Sequence, residues 1–187
     1  MILAISGSLR RDSLNSAALR AAARAAARSA LEVVIDTSPA ILPPFSPDLE
    51  SEPPEPVLRF RRACECAEAI LLAVPEYAFG IPGAFKNALD WTVGSGSLYR
   101  KPIALLSVAP PGRGAHVTQA LDAVFTGLDG DVAHYVVPVV AADRGADGEV
   151  RDPRIVEALQ AVVTELWAHA RSRSAETQTP LRSVRHT

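Results

Sequence analysis

Residues 69–91 read AILLAVPEYAFGIPGAFKNALDW: six apolar residues, then a turn-rich segment with two prolines and two glycines, then a helical pattern. The apolar run has strand length and no polar alternation, as expected of a strand buried on both faces. Pro82 presets a helical φ at the entry to the helix, and Gly80 permits unusual backbone angles before it. A rigid strand-to-helix connection would need no more than that. The segment also carries Glu76 and two planar side chains, Tyr77 and Phe79, at the end of a buried strand, where backbone at Gly80 can be closely approached.

Working outward, the same strand-then-helix order recurs along the chain. ILAIS at 2–6 precedes an Ala/Arg-rich helical stretch over 14–30, and LEVVID at 31–36 precedes a helix over 56–67. After the quoted segment, with its helix over 83–91, come PIALLSV at 102–108, a helix over 115–128, VAHYVVPVV at 132–140 and a last helix over 153–172. Five strands alternating with five helices predict an α/β fold with an open parallel sheet and helices on both faces, because parallel strands need crossover connections. Residues 37–56 hold seven of the fifteen prolines and little periodicity, so they read as a loop. From Arg173 onward RSAETQTPLRSVRHT is polar and patternless, which predicts a disordered tail over 173–187 and one domain over 1–172.

Composition narrows the function. With 187 residues and 48% of them hydrophobic, the chain can bury the core of a single domain. Nineteen Lys and Arg against 21 Asp and Glu leave a formal net charge of -2, which offers no field for nucleic acid or anionic lipid. No apolar run approaches the roughly 20 residues of a membrane helix, and Met1 leads straight into ILAIS without a basic leader, so a cytoplasmic location is expected. Cys64 and Cys66 point to different faces of a helix and read as packing residues rather than a disulfide or zinc pair. His116, His134, His169 and His186 lack metal-ligand spacing, and no metal is assigned. VGSGSL at 93–98 follows a helix instead of preceding one, so it is no nucleophile elbow, and its glycines read as linker. Asp90 reads as structural.

Ligands of open α/β sheets sit beyond the carboxyl ends of the strands, near the point where the winding reverses. The loop after the first strand, GSLRRDSLN at 7–15, gathers the donors of Ser8, Arg10, Ser13 and Asn15 beside a helix N-terminus, which makes an anion site. It matches neither G-x-G-x-x-G nor G-x-x-x-x-G-K-[ST], so a single terminal phosphate suits it better than a pyrophosphate or a magnesium triphosphate. The plainer alternative is a Ser13 cap flanked by solvated arginines. With PEYAFGIPG and with SVAPPGRGA at 107–115, the combined chemistry suits a flat heterocycle bearing a phosphate.

GSLRRDSLNSAAL and PEYAFGIPGAFKNALDW resemble the two signature segments of the NAD(P)H-dependent FMN reductases, flavodoxin-like proteins that include quinone, chromate and azo-dye reductases. The resemblance runs from the first strand through the last helix and includes LPPFSPDLE at 42–50. It implies strand order 2-1-3-4-5, with FMN phosphate on Ser8, Arg10, Ser13, Leu14 and Asn15. It also implies isoalloxazine against Pro75, Glu76, Tyr77, Ala78, Phe79 and Gly80, with Ser107 and the 112–114 region at the other edge. The implied activity is hydride transfer from NADPH or NADH to the flavin and on to a quinone, flavin, azo or similar small-molecule acceptor, with no catalytic side chain. The family resemblance further implies a homodimer or homotetramer, for which Phe85, Ala88, Leu89 and Trp91 on the third helix offer a candidate interface. Two departures stand out. Ala78 replaces the asparagine of PEYN and removes a side-chain hydrogen bond to the flavin, and Pro110 and Pro111 stiffen a loop that is usually glycine-rich. The alternative implied function is a flavodoxin-like electron carrier or noncatalytic FMN-binding module, although a net charge of -2 gives little of the acidic surface that guides carriers to their partners.

Overall fold

The computed structural model describes residues 1–110 and 112–177. Strands β1 (Ile2–Ser6), β2 (Val33–Asp36), β3 (Ala69–Ala73), β4 (Pro102–Ser107) and β5 (Asp131–Val136) alternate with helices α1 (Leu14–Ala27), α2 (Glu55–Cys66), α3 (Gly83–Val93), α4 (Ala115–Gly127) and α5 (Pro153–Thr177). The sheet is parallel throughout, in the order β2-β1-β3-β4-β5. Winding therefore reverses between β1 and β3, as anticipated.

Every residue of β3 is buried, because helices cover both its faces. Leu71 and Ala73 pack with α1 and α5, whereas Ile70 and Leu72 face the cluster built from α2, α3 and α4. The small residues Ala17, Ala18, Ala21, Ala22 and Ala25 let α1 lie close against the sheet. On the other face Phe60, Phe85, Trp91 and Phe125 supply the bulk, and each fully buried large apolar side chain is worth about 1.5–3 kcal/mol.

The register aligns the carboxyl ends of the central strands. Ser6 lies opposite Ala73, and Ala73 opposite Leu106, so the three following loops leave the sheet at one level. Gly7 allows this convergence: a Cβ there would come within 2.6 Å of the Val74 side chain.

The proline-rich loop is held by the third helix. Pro43 O accepts from Asn87 Nδ2 at 2.9 Å and from Trp91 Nε1 at 2.8 Å, and the Asn87 side-chain oxygen accepts from Phe45 N at 2.7 Å. Buried Arg61 grips both oxygens of Glu50 at 2.8 and 2.9 Å and donates to Trp91 O at 2.6 Å.

Several expectations are refined. Phe85, Ala88, Leu89 and Trp91 are all buried within the subunit, so they are not free to form an interface. Cys64 packs in the core, where burial pushes its thiol pKa up to about 12, but Cys66 is exposed. Val93 ends α3, and residues 94–98 are turns in which Ser97 and Leu98 are buried. Helix α5 runs five residues past the expected end, and Arg173 pairs with Asp131; the remainder of the expected tail, 178–187, lies outside the described residues.

Candidate cofactor site

At the carboxyl ends of β1, β3 and β4 lies a cavity of about 550 Å³. Leu14 and Asn15 bound it on one side, Pro75, Glu76 and Phe79 on another, and Ser107 with Gly112–Gly114 on the third. Six of the residues expected from sequence therefore meet around one space. Ser8 and Arg10 line a smaller hollow across the β1–α1 loop, while Ser13, Tyr77, Ala78 and Gly80 line neither space.

The β1–α1 loop is organised by hydroxyls. Ser13 caps α1, its Oγ accepting from Ser16 N at 3.4 Å. Ser8 is buried; its Oγ accepts from Arg10 N at 3.3 Å and sits 3.4 Å from the Tyr77 hydroxyl, joining the two signature segments. Leu14 and Asn15 hold the first two positions of α1, where an amide has no carbonyl one helical turn back to accept from it. The Arg10 guanidinium is exposed and has no acidic partner among the described residues. Arg144 Nη1 reaches from beyond β5 to Asp12 O at 3.2 Å and anchors the same loop.

The β3–α3 segment forms a tight two-residue turn. Tyr77 N donates to Gly80 O at 3.1 Å and Gly80 N to Tyr77 O at 3.0 Å, and the central residues Ala78 and Phe79 have φ of 48° and 60°. The left-handed backbone thus falls on Ala78 and Phe79. Gly80 lies outside that region, contrary to expectation, and a Cβ added to it would meet only Tyr77 O at 3.9 Å. The turn pushes Phe79 outward, 76% exposed, with its ring edge-on to His116 at 5.0 Å between centroids.

Glu76 does something that no sequence spacing announces. Its Oε2 accepts from the backbone amides of His116 at 3.0 Å and Val117 at 3.1 Å, closing the N-terminus of α4. The residue preceding α4, Gly114, is left-handed at φ 86° and supplies no side-chain cap. His116 Nδ1 stands 3.6 Å from the same carboxylate oxygen. Gly112 also needs its positive φ of 83°, and Pro111 lies outside the described residues.

No group of three or more metal-binding side chains occurs among the described residues. His116, His134 and His169 each pair with a single carboxylate, Asp90 pairs with Lys86 on its own helix, and His186 lies outside the described residues. No described helix is long and apolar enough to cross a membrane.

The sheet order, with its cavity at the carboxyl ends of the central strands, defines a flavodoxin-like protein. The family model of NADPH-dependent FMN reductases matches residues 1–147, and the chain belongs to that family. A probable NADPH:quinone oxidoreductase of Oryza sativa is 33% identical over 180 residues, covering 90% of this chain and 88% of the relative. An NAD(P)H-dependent FMN reductase of Pseudomonas aeruginosa is 40% identical over 91 residues, 48% of each chain. Among solved structures, FerB, a flavoenzyme NAD(P)H:(acceptor) oxidoreductase from Paracoccus denitrificans, superposes with a TM-score of 0.74 at 28% identity, covering 91% of this chain and 97% of its own.

Proposed function

We propose that the protein is an FMN-containing NAD(P)H oxidoreductase that reduces quinone-type or related small-molecule acceptors. The observation that carries this reading is the open N-terminus of α1 facing a cavity whose other helix N-terminus, that of α4, is already occupied by Glu76. The donor set fits FMN: a phosphate meets the amides of Leu14 and Asn15, the hydroxyls of Ser8 and Ser13, and Arg10. The tricyclic ring fits the space bounded by Pro75, Phe79, Ser107 and Gly114, within about 550 Å³. When bound, FMN would supply the chemistry that accepts hydride from the nicotinamide and delivers electrons to the acceptor. This chain's residues hold and orient it. Pro75, the 77–80 turn and the 112–114 loop shape a slot for planar molecules, and Phe79 at the mouth offers an aromatic face. A cytoplasmic location and a homodimer or homotetramer complete the proposal, supported by the family resemblance.

The test is rapid mixing of FMN-loaded protein with NADPH or NADH, followed through flavin absorbance. Reduction much faster than that of free FMN, with ping-pong steady-state kinetics, is the expected result. If neither nucleotide reduces bound FMN faster than free FMN, the protein is a carrier or binding module instead.

A further inference from the structure

The family resemblance implies chemistry without a catalytic side chain, yet the cofactor cavity of this chain has a histidine in its wall. We infer that His116 is a catalytic acid, which protonates the acceptor oxygen during quinone reduction. The proposal rests on the reductase reading and adds to it the origin of the second proton.

Proton balance calls for such a group. A quinone becomes a hydroquinone by gaining two electrons and two protons. A hydride from the bound cofactor brings both electrons and one proton, and the second proton must reach the other oxygen. In the proposed step the Nε2–H bond of the His116 imidazolium breaks and an O–H bond forms on the acceptor. The neutral imidazole left behind recovers its proton from solvent at the mouth of the cavity, so no further reactant enters.

Three ionisable side chains line the cavity: Glu76, Arg113 and His116. Arginine does not release its proton in proteins, and Glu76 Oε2 is taken up by two backbone amides. Tyr77 lies off the cavity, its hydroxyl 3.4 Å from Ser8 Oγ. That leaves imidazole, the side chain whose protonation changes between about pH 5 and about pH 8. His116 is the second residue of α4, with its side chain 59% exposed beside the exposed Phe79 ring. Its Nδ1 stands 3.6 Å from Glu76 Oε2, and its Nε2 has no partner among the described residues. A helix N-terminus opposes a cation, but here the Glu76 carboxylate closes that end and sets a negative charge against the same ring. His134 differs: it pairs with Asp122 at 3.0 Å and borders a neighbouring hollow of about 610 Å³ rather than the cavity itself.

The experiment has two arms on FMN-loaded protein. In the first, protein reduced with NADPH or NADH is mixed rapidly with 1,4-benzoquinone, which takes up protons, or with ferricyanide, which takes up an electron alone. The quinone-to-ferricyanide ratio of reoxidation rates should fall about a hundredfold in His116→Gln, the lower end for general acid catalysis, and hold in His134→Gln. In the unaltered protein that ratio should fall as the pH rises from about 5 to about 8, where imidazole loses its proton, and in His116→Gln it should be flat. In the second arm, ring-nitrogen NMR of the oxidised, unaltered protein follows added 4-nitrophenolate, an oxyanion that receives no hydride there. The His116 Nε2 signal should shift and the His134 signals should not. An unchanged ratio in His116→Gln, a ratio lost in His134→Gln alone, or an unmoved His116 signal overturns the proposal and leaves the reductase reading standing. Bound flavin that neither nucleotide reduces overturns the reductase reading and the proposal with it.

Discussion

Two helices, α1 and α4, point their N-termini into the same cavity, and the chain treats them in opposite ways. Each carries the partial positive charge of an aligned helix and a turn of unsatisfied amides. At α4 the chain supplies its own anion: Glu76, forty positions away, binds the amides of His116 and Val117. At α1 the Ser13 hydroxyl accepts from Ser16 N, and the Arg10 guanidinium has no acidic partner among the described residues. The difference shows how one cavity acquires polarity. On the proposed reading, an incoming phosphate takes the open end of α1, and the direction in which the cofactor lies follows from that choice.

The comparison is broken most directly by removing the internal anion. Glu76→Ala leaves α4 uncapped and detaches it from the β3–α3 turn, so a destabilisation of about 1–2 kcal/mol is expected in denaturant unfolding. Glu76→Gln keeps an acceptor oxygen and should cost less. An unchanged midpoint in both variants would mean that the contact contributes nothing. Ala78→Gly tests the turn on the same wall. Left-handed backbone costs an ordinary residue about 1 kcal/mol, and relief of that strain should raise stability by a similar amount. Asparagine at 78 tolerates the same backbone and should act in the same direction.

Acid should loosen the α1 side. Burial pushes Glu149 upward, but hydrogen bonds from Arg20 and Arg24 outweigh it and hold the carboxyl below its usual range. At Asp131 the His169 hydrogen bond leads, with Arg173 adding to it, and the carboxyl is again lowered. A folded pKa below the unfolded one gives stability that is present above the ordinary carboxylate range, about 4, and is lost as the pH falls through the lower folded value. Melting temperature should fall in that acid window, and Glu149→Gln or Asp131→Asn should flatten the slope. An unchanged slope would show that these pairs do not couple to folding. The smallest effect belongs to Gly80→Ala, which should change stability by less than about 0.5 kcal/mol, because a Cβ there meets only Tyr77 O at 3.9 Å. A larger loss would show that the turn needs a glycine where its backbone angles do not.

Most elements were legible because β1, β3 and β4 are buried on both faces and so read as unbroken apolar runs, whereas the strand order came from the family resemblance. Edges were harder. The apolar VVPVV extends past β5, and Val137 N and Val139 N still bond to Ser107 O and Val108 O, but Pro138 between them has no amide to continue the ladder. Helix α5 outlasts its pattern because Arg173 finds Asp131 on another strand, a contact that periodicity cannot register. In the site, the meeting of Leu14, Asn15, Pro75, Glu76, Phe79 and Ser107 around one cavity was legible from their places just after the strands. The role of Glu76 was hidden because its partners are backbone amides of a helix forty residues on. The strain at Ala78 and Phe79 was hidden because neither residue type advertises a left-handed turn.

The most direct test of the open and closed helix ends is a titration of cofactor-free protein with FMN and with riboflavin, which differ only in the phosphate. The account predicts that FMN binds far more tightly and that Arg10→Ala erases about tenfold to a hundredfold of that advantage while leaving riboflavin affinity unchanged. Equal affinity for the two flavins, or an equal loss for both in Arg10→Ala, would contradict it.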